Sequence, residues 1–156
     1  MTMTWRARIL SAEELSELRA DPSLAREFVH RDDHPLELKR TWYGLKWIMV
    51  HDDRIEGGAE DSILGGAEIG ERIGTSPARL VGPDEVAEIS LQLAEVTPDH
   101  IRDGFDIRTM MREAVYPPIW DQPDVLEGKL VPAFTKLKKL YAKAAEQRAA
   151  ILIVVS

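Results

Sequence analysis

The sequence predicts an α+β fold: a small mixed or antiparallel sheet of about three or four strands covered by about six helices. Three observations carry this. The closing run Ala150-Ile151-Leu152-Ile153-Val154-Val155 is unbroken and β-branched, the pattern of a strand buried on both faces. Such a strand belongs in the middle of a sheet, with the N-terminal strand beside it. Met3, Trp5, Ala7 and Ile9 alternate with Thr4, Arg6 and Arg8, which reads as a half-buried strand with a polar outer face. Between these ends, Leu38, Trp42, Leu45 and Met49 recur at i, i+4, i+7 and i+11, laying an apolar stripe along a helix. Tyr43, Trp47, Ile48 and Val50 fall off that stripe, so this is read as an inner helix covered on more than one side.

The remaining elements follow in order. Ser11 and Glu14 form a capping box that opens a helix from Ala12 to about Ala20, with Leu15 and Leu18 inward. Asp21-Pro22 caps a short helix carrying Leu24 and Phe28. His30 to Pro35 is a polar break, and the inner helix starts after Pro35. His51 to Asp61 reads as an exposed loop. Ser62 to Gly74 mixes apolar residues with too much Gly for a stable helix, so short extended pieces and tight turns are expected. Pro77–Val81 is a short strand. Pro83 with Asp84 and Glu85 opens a helix with Val86, Ile89, Leu93 and Val96 inward. Thr97-Pro98 and Asp106 cap two brief helices, the second with Ile107, Met110, Met111 and Ala114 inward. Tyr116-Pro117-Pro118-Ile119-Trp120-Asp121 is irregular, because adjacent prolines forbid a helix interior. The last helix runs beyond Pro132 to about Gln147, with Phe134, Leu137, Tyr141, Ala144 and Ala145 inward and Lys136, Lys139 and Lys143 opposite. No repeat or low-complexity linker breaks the chain, so residues 1–156 are expected to form one domain.

Composition narrows the function classes. The formal net charge is −7, which disfavours general nucleic-acid binding and attraction to anionic lipid. Cys is absent, which removes thiolate chemistry and disulfides and fits a reducing compartment. The N-terminal stretch does not read as a signal peptide, and the longest apolar run is too short to span a membrane. A soluble cytoplasmic protein is expected.

Candidate chemistry is sparse. His30 and His34 stand four apart, with His51 later, but Pro35 spoils helical metal-ligand spacing and a solvated loop is the favoured reading; no metal and no cofactor is expected. Gly65 to Gly70 is not followed by Lys-Ser/Thr, and Glu68 and Glu71 would repel phosphate. No G-x-S-x-G motif is present. Glu68, Arg79, Tyr116, Trp120 and Asp121 sit near Gly and Pro in irregular or strand-edge segments, where binding sites tend to be carried. Glu68 and Arg79 are equally the makings of a buried ion pair that fixes a turn, and Trp120 of a staple between loop and core. The Lys136/Lys139/Lys143 stripe reads as a wet helix side, with docking of an acidic partner as its alternative.

Several stretches together resemble the YfbM-like family, a bacterial family described as a domain of unknown function. The likeness is carried by Trp42-Tyr43-Gly44-Leu45-Lys46-Trp47-Ile48, Ile63 to Gly70, Gly74 to Val81, Pro83-Asp84-Glu85-Val86, Phe105-Asp106, Tyr116 to Asp121 and the closing Ile151 to Ser156. Tyr43 and Lys46 stand where the family usually has two His, so any ligand role of those His does not carry over. The resemblance implies a single α+β domain and brings no reaction, cofactor or substrate. Two functional readings remain. One is a small binding protein that holds a partner protein segment or polar ligand in a groove bordered by Gly65–Gly74, Arg79 and Tyr116–Asp121. The other is a hydrolase- or transferase-like enzyme with Glu68 as acid/base and Arg79 as anion clamp.

Overall fold

The computed structural model describes residues 3–31, 35–55 and 57–156. It is built around one antiparallel sheet of five strands in the order β2-β1-β5-β4-β3. The strands are β1 (Trp5–Leu10), β2 (Leu36–Glu37), β3 (Ala67–Ile73), β4 (Ser76–Val81) and β5 (Ala150–Val155). The C-terminal strand is central and pairs with β1 from Trp5↔Val155 to Leu10↔Ala150, as the continuous apolar run requires. Ile151 and Ile153 face one core cluster with Trp5, Ala7 and Val81, while Leu152 and Val154 face a second with Leu10, Leu18 and Phe28. Period-two alternation thus feeds two hydrophobic layers from a single strand.

The strand number corrects the expected three or four. The Gly-rich stretch, expected as short extended pieces and tight turns, forms one continuous strand of seven residues, β3, at the sheet edge. Gly70, at φ 77°, lies where the β3–β4 register shifts between Ile69 and Arg72, and a Cβ there would press on the carbonyl of Pro22. The other unforeseen strand, β2, is two residues long and carries no periodic signal of its own.

Eight α-helices are present among the described residues, against an expected six: α1 (Ala12–Ala20), α2 (Ala25–Val29), α3 (Trp42–His51), α4 (Asp61–Leu64), α5 (Pro83–Ala94), α6 (Pro98–Gly104), α7 (Ile107–Arg112) and α8 (Val131–Glu146). The one without a counterpart among the expected elements is α4, a single turn. α4 falls inside the stretch read as too Gly-rich for helix, because its four residues end at Gly65. The Ser11–Glu14 capping box closes with both bonds formed. Thr97 closes a second box with the His100 side chain.

α1 and α2 cover one face of the sheet, and this overturns the polar outer face expected of β1. Arg8 is 6 % exposed; its guanidinium donates to the Phe28 carbonyl at 2.8 Å and to Glu14 at 3.1 Å. The remaining helices cover the other face. There α3 buries Trp42, Gly44, Leu45, Ile48 and Met49, while Tyr43 and Val50 reach solvent, so it is covered over a narrower arc than expected. Leu38 packs in the core ahead of the helix, since the chain first forms β2. The stretch after His51 is less exposed than a loop reading implies, with Ile55 and Ala59 buried. In α7, Met110 is buried but Ile107 is exposed, and Ala114, expected inward on this helix, lies beyond its end and is exposed. No helix among the described residues is long and apolar enough to cross a membrane.

Candidate functional site

The five residues singled out in the sequence do not gather into one groove. Arg79, on β4, turns its guanidinium onto the carbonyls of Gly65 and Gly66, donating at 2.9 Å to each. It lies across the ladder from Glu68 and reaches its carboxylate at 3.7 Å. The Glu68 side chain is 60 % exposed, so the pair is not the buried one expected: it stands at the sheet edge in solvent. This pair fixes the turn into β3, and no cleft surrounds Glu68 among those described below. An acid/base needs a substrate-sized, water-poor setting, which a solvated edge pair lacks. Glu68→Gln is therefore expected to change unfolding free energy by less than about 0.5 kcal/mol in chemical denaturation.

Tyr116 and Trp120 belong to a different part of the molecule. The Tyr116 hydroxyl accepts from the Met3 amide at 3.0 Å, and its ring lies 6.5 Å from that of Trp42. Trp120 is completely buried, and its indole N–H donates to the Val115 carbonyl at 2.8 Å. Its ring lies over the first turn of α3 at Gly44, where any Cβ would overlap it. Both aromatics thus tie the irregular segment to the core. Asp121 is exposed. No hydrogen bond, ion pair or ring contact among the described residues links these three to Glu68 or Arg79.

Of the histidines, His30 is exposed and His34 lies outside the described residues. His51 stacks on Trp47 at 4.4 Å beside a shallow acidic cleft of about 450 Å³ with Asp52, Asp103 and Asp106. Arg54 bonds Asp52 at 2.7 Å and holds its carboxyl below the usual range. Among the described residues no cluster of three or more His, Asp or Glu is arranged to hold a metal.

The chemistry concentrates elsewhere, along α8. A cleft of about 330 Å³ lies at the N-terminal end of α3, between Leu38 to Thr41 and the face of α8. Lys39, Arg40, Lys129 and Lys136 surround it, and Ile119, Pro132 and Ala133 give it an apolar floor. Among the described residues its one carboxylate is Glu37, bonded by Arg6 at 2.9 Å. Through Glu37 and Lys136 this cleft meets a second, of about 440 Å³, between β2 and α8. Through Leu140 and Lys143 that one meets a third, of about 360 Å³, against β1. The result is a trough with Lys136, Lys139 and Lys143 along one wall and the short edge strand β2 along the other.

These cations are unneutralised. Among the described residues the ion pairs are all made by arginines, and neither the trough lysines nor Arg40 makes one. On a chain of net charge −7, six such side chains on one face make a local field of the opposite sign. The edge strand adds backbone groups. Leu38 N–H bonds the Trp5 carbonyl at 2.9 Å, and Arg6 faces Glu37 in the register. In an antiparallel ladder that alternation turns the N–H and C=O of Glu37 away from β1, toward the open edge. Half of this trough was visible in sequence as the Lys136/Lys139/Lys143 stripe. The other half, Lys39-Arg40-Thr41, falls in the stretch expected to be part of the inner helix, which in the structure starts only at Trp42.

Comparison with known proteins agrees with the fold. A family model described as Domain of unknown function (DUF1877) matches residues 1–154. The chain is similar to the crystal structure of a protein of unknown function, YfbM from Escherichia coli, with a TM-score of 0.74, 15% identity and 100% of each chain covered. At that identity the likeness carries the fold alone. Both findings bear out the resemblance read from the motifs. No curated protein matches.

Proposed function

We propose, for a chain that belongs to the family described as Domain of unknown function (DUF1877), a binding role without catalysis: it holds an acidic, extended segment of a partner protein along the trough between β2 and α8. The observation that carries this reading is the row Lys136, Lys139 and Lys143, exposed and unpaired beside an open strand edge. An extended peptide added at that edge takes main-chain hydrogen bonds from Glu37, and its carboxylates meet the lysines. Leu36 and Leu140 between them offer apolar dips for alternate side chains. The trough has no exposed aromatic platform of the kind single-stranded nucleic acid uses, and the remaining surface is acidic. A cytoplasmic setting is part of the proposal, supported by the absence of Cys.

A fluorescein-labelled octa-glutamate peptide tests it by anisotropy at low ionic strength. Saturable binding is expected, weakening as salt rises. The double variant Lys139→Glu/Lys143→Glu is expected to bind at least about tenfold more weakly with its unfolding midpoint unchanged, since both side chains are exposed. No binding at low salt, or equal binding by the variant, overturns the reading.

A further inference from the structure

We propose that the cleft at the N-terminal end of α3 is a phosphate site, taking the phosphomonoester group of a ligand. Thr41 is the observation that points to a ligand. It is 8 % exposed, it lines the cleft, and its hydroxyl makes no hydrogen bond, neither as a helix cap nor with any other described residue. Buried hydroxyls are ordinarily bonded. The Thr41 hydroxyl is not among the fully enclosed polar atoms of the described residues, so it is not sealed in the core but keeps access to the cleft it lines.

Its surroundings favour a doubly charged, tetrahedral group. Lys39 and Arg40 approach from the segment before α3, and Lys129 and Lys136 from the opposite wall. Two walls of cations and a hydroxyl donor suit an oxyanion with acceptors in several directions better than a planar carboxylate. The positive end of the ten-residue α3 lies at the same place, with Leu45 N–H to Thr41 carbonyl as its first helical bond. Glu37, the one lining group among the described residues that would repel phosphate, is held by Arg6. The volume of about 330 Å³ leaves room for part of the group that carries the phosphate. That carrier is either a small phosphorylated metabolite or a phosphorylated residue of the docked segment; the second source rests on the docking reading.

The test titrates inorganic phosphate into the full chain and follows amide and methyl resonances. Saturable shifts are expected at Thr41 and Lys129. Affinity is expected to fall about tenfold in Thr41→Val and in Arg40→Ala. The unfolding midpoint of Thr41→Val should stay unchanged or rise, because no internal bond is lost; a structural hydroxyl would lower it. Absence of saturable shifts, or an affinity in both variants equal to that of the unsubstituted chain, overturns the site. Two further arms identify the source. Equal affinity for free O-phosphoserine and for an acidic phosphoserine peptide assigns the site to small metabolites. A tenfold tighter peptide assigns it to the partner segment. If octa-glutamate binds while phosphate leaves Thr41 unmoved, the docking reading stands and this site falls; the reverse result keeps the site and removes the docking reading.

Discussion

Trp120→Ala is expected to lower the unfolding free energy by about 3–5 kcal/mol, read from the midpoint of chemical denaturation. The indole is fully buried, and it is among the largest side chains to be so. Its removal leaves a cavity over the first turn of α3 and strips the Val115 carbonyl of its 2.8 Å donor. The segment from Val115 to Trp120 is irregular and holds itself with few main-chain bonds, among them Val115 to Met110 and Ile119 to Pro117. Its attachment to the core therefore depends on side chains, with Val115, Ile119 and Trp120 all buried. A loss under about 1 kcal/mol would mean that the ring packs loosely, and would reopen the ligand-platform reading of this tryptophan. Because Ile119 also floors the phosphate cleft, the variant should weaken phosphate binding only in proportion to its unfolded fraction.

Gly44→Ala is expected to destabilise by about 1–2 kcal/mol, against the usual sign for this exchange inside a helix. Alanine normally gains close to 1 kcal/mol over glycine there. At Gly44 the added methyl would overlap the Trp120 ring, and a fully buried indole has nowhere to swing. The two substitutions should therefore couple. In a Trp120→Ala background, Gly44→Ala is expected to be neutral or stabilising, giving an interaction energy of at least about 1.5 kcal/mol in a double-mutant cycle. Simple additivity would show that α3 and the irregular segment do not depend on each other.

Much of the architecture was legible because its causes are local. The capping box at Ser11 and Glu14, the first-turn prolines of α5 and α6, and the Asp106 cap all act within one turn of the chain. The all-apolar run of β5 announced burial on both faces, and the structure places it at the centre of the sheet. Local signals failed where an element borrowed its stability. β2 is a strand only because β1 lies beside it, and Arg8 sits in a buried layer only because α1 and α2 fold over it. Proximity to Gly and Pro marked Glu68, Arg79, Tyr116, Trp120 and Asp121 as a set, but Arg79 bonds the Gly65 and Gly66 carbonyls and Glu68, while Tyr116 and Trp120 bond Met3 and Val115.

The sequence by itself determined the α+β class, most helix starts, the central place of the last strand and the family. The first three rest on the period or capping of contiguous residues and the family on a likeness of short motifs, and neither needs knowledge of what packs against what. Only the tertiary structure decided that Lys39, Arg40 and Thr41 face Lys129 and Lys136 across one cleft. It also decided that the lysine stripe of α8 borders an open strand edge. Residues so distant in the chain meet because the sheet order sets β2 beside β1 and α8 packs across them, and that order is fixed by burial summed over the whole core, which no single stretch contains.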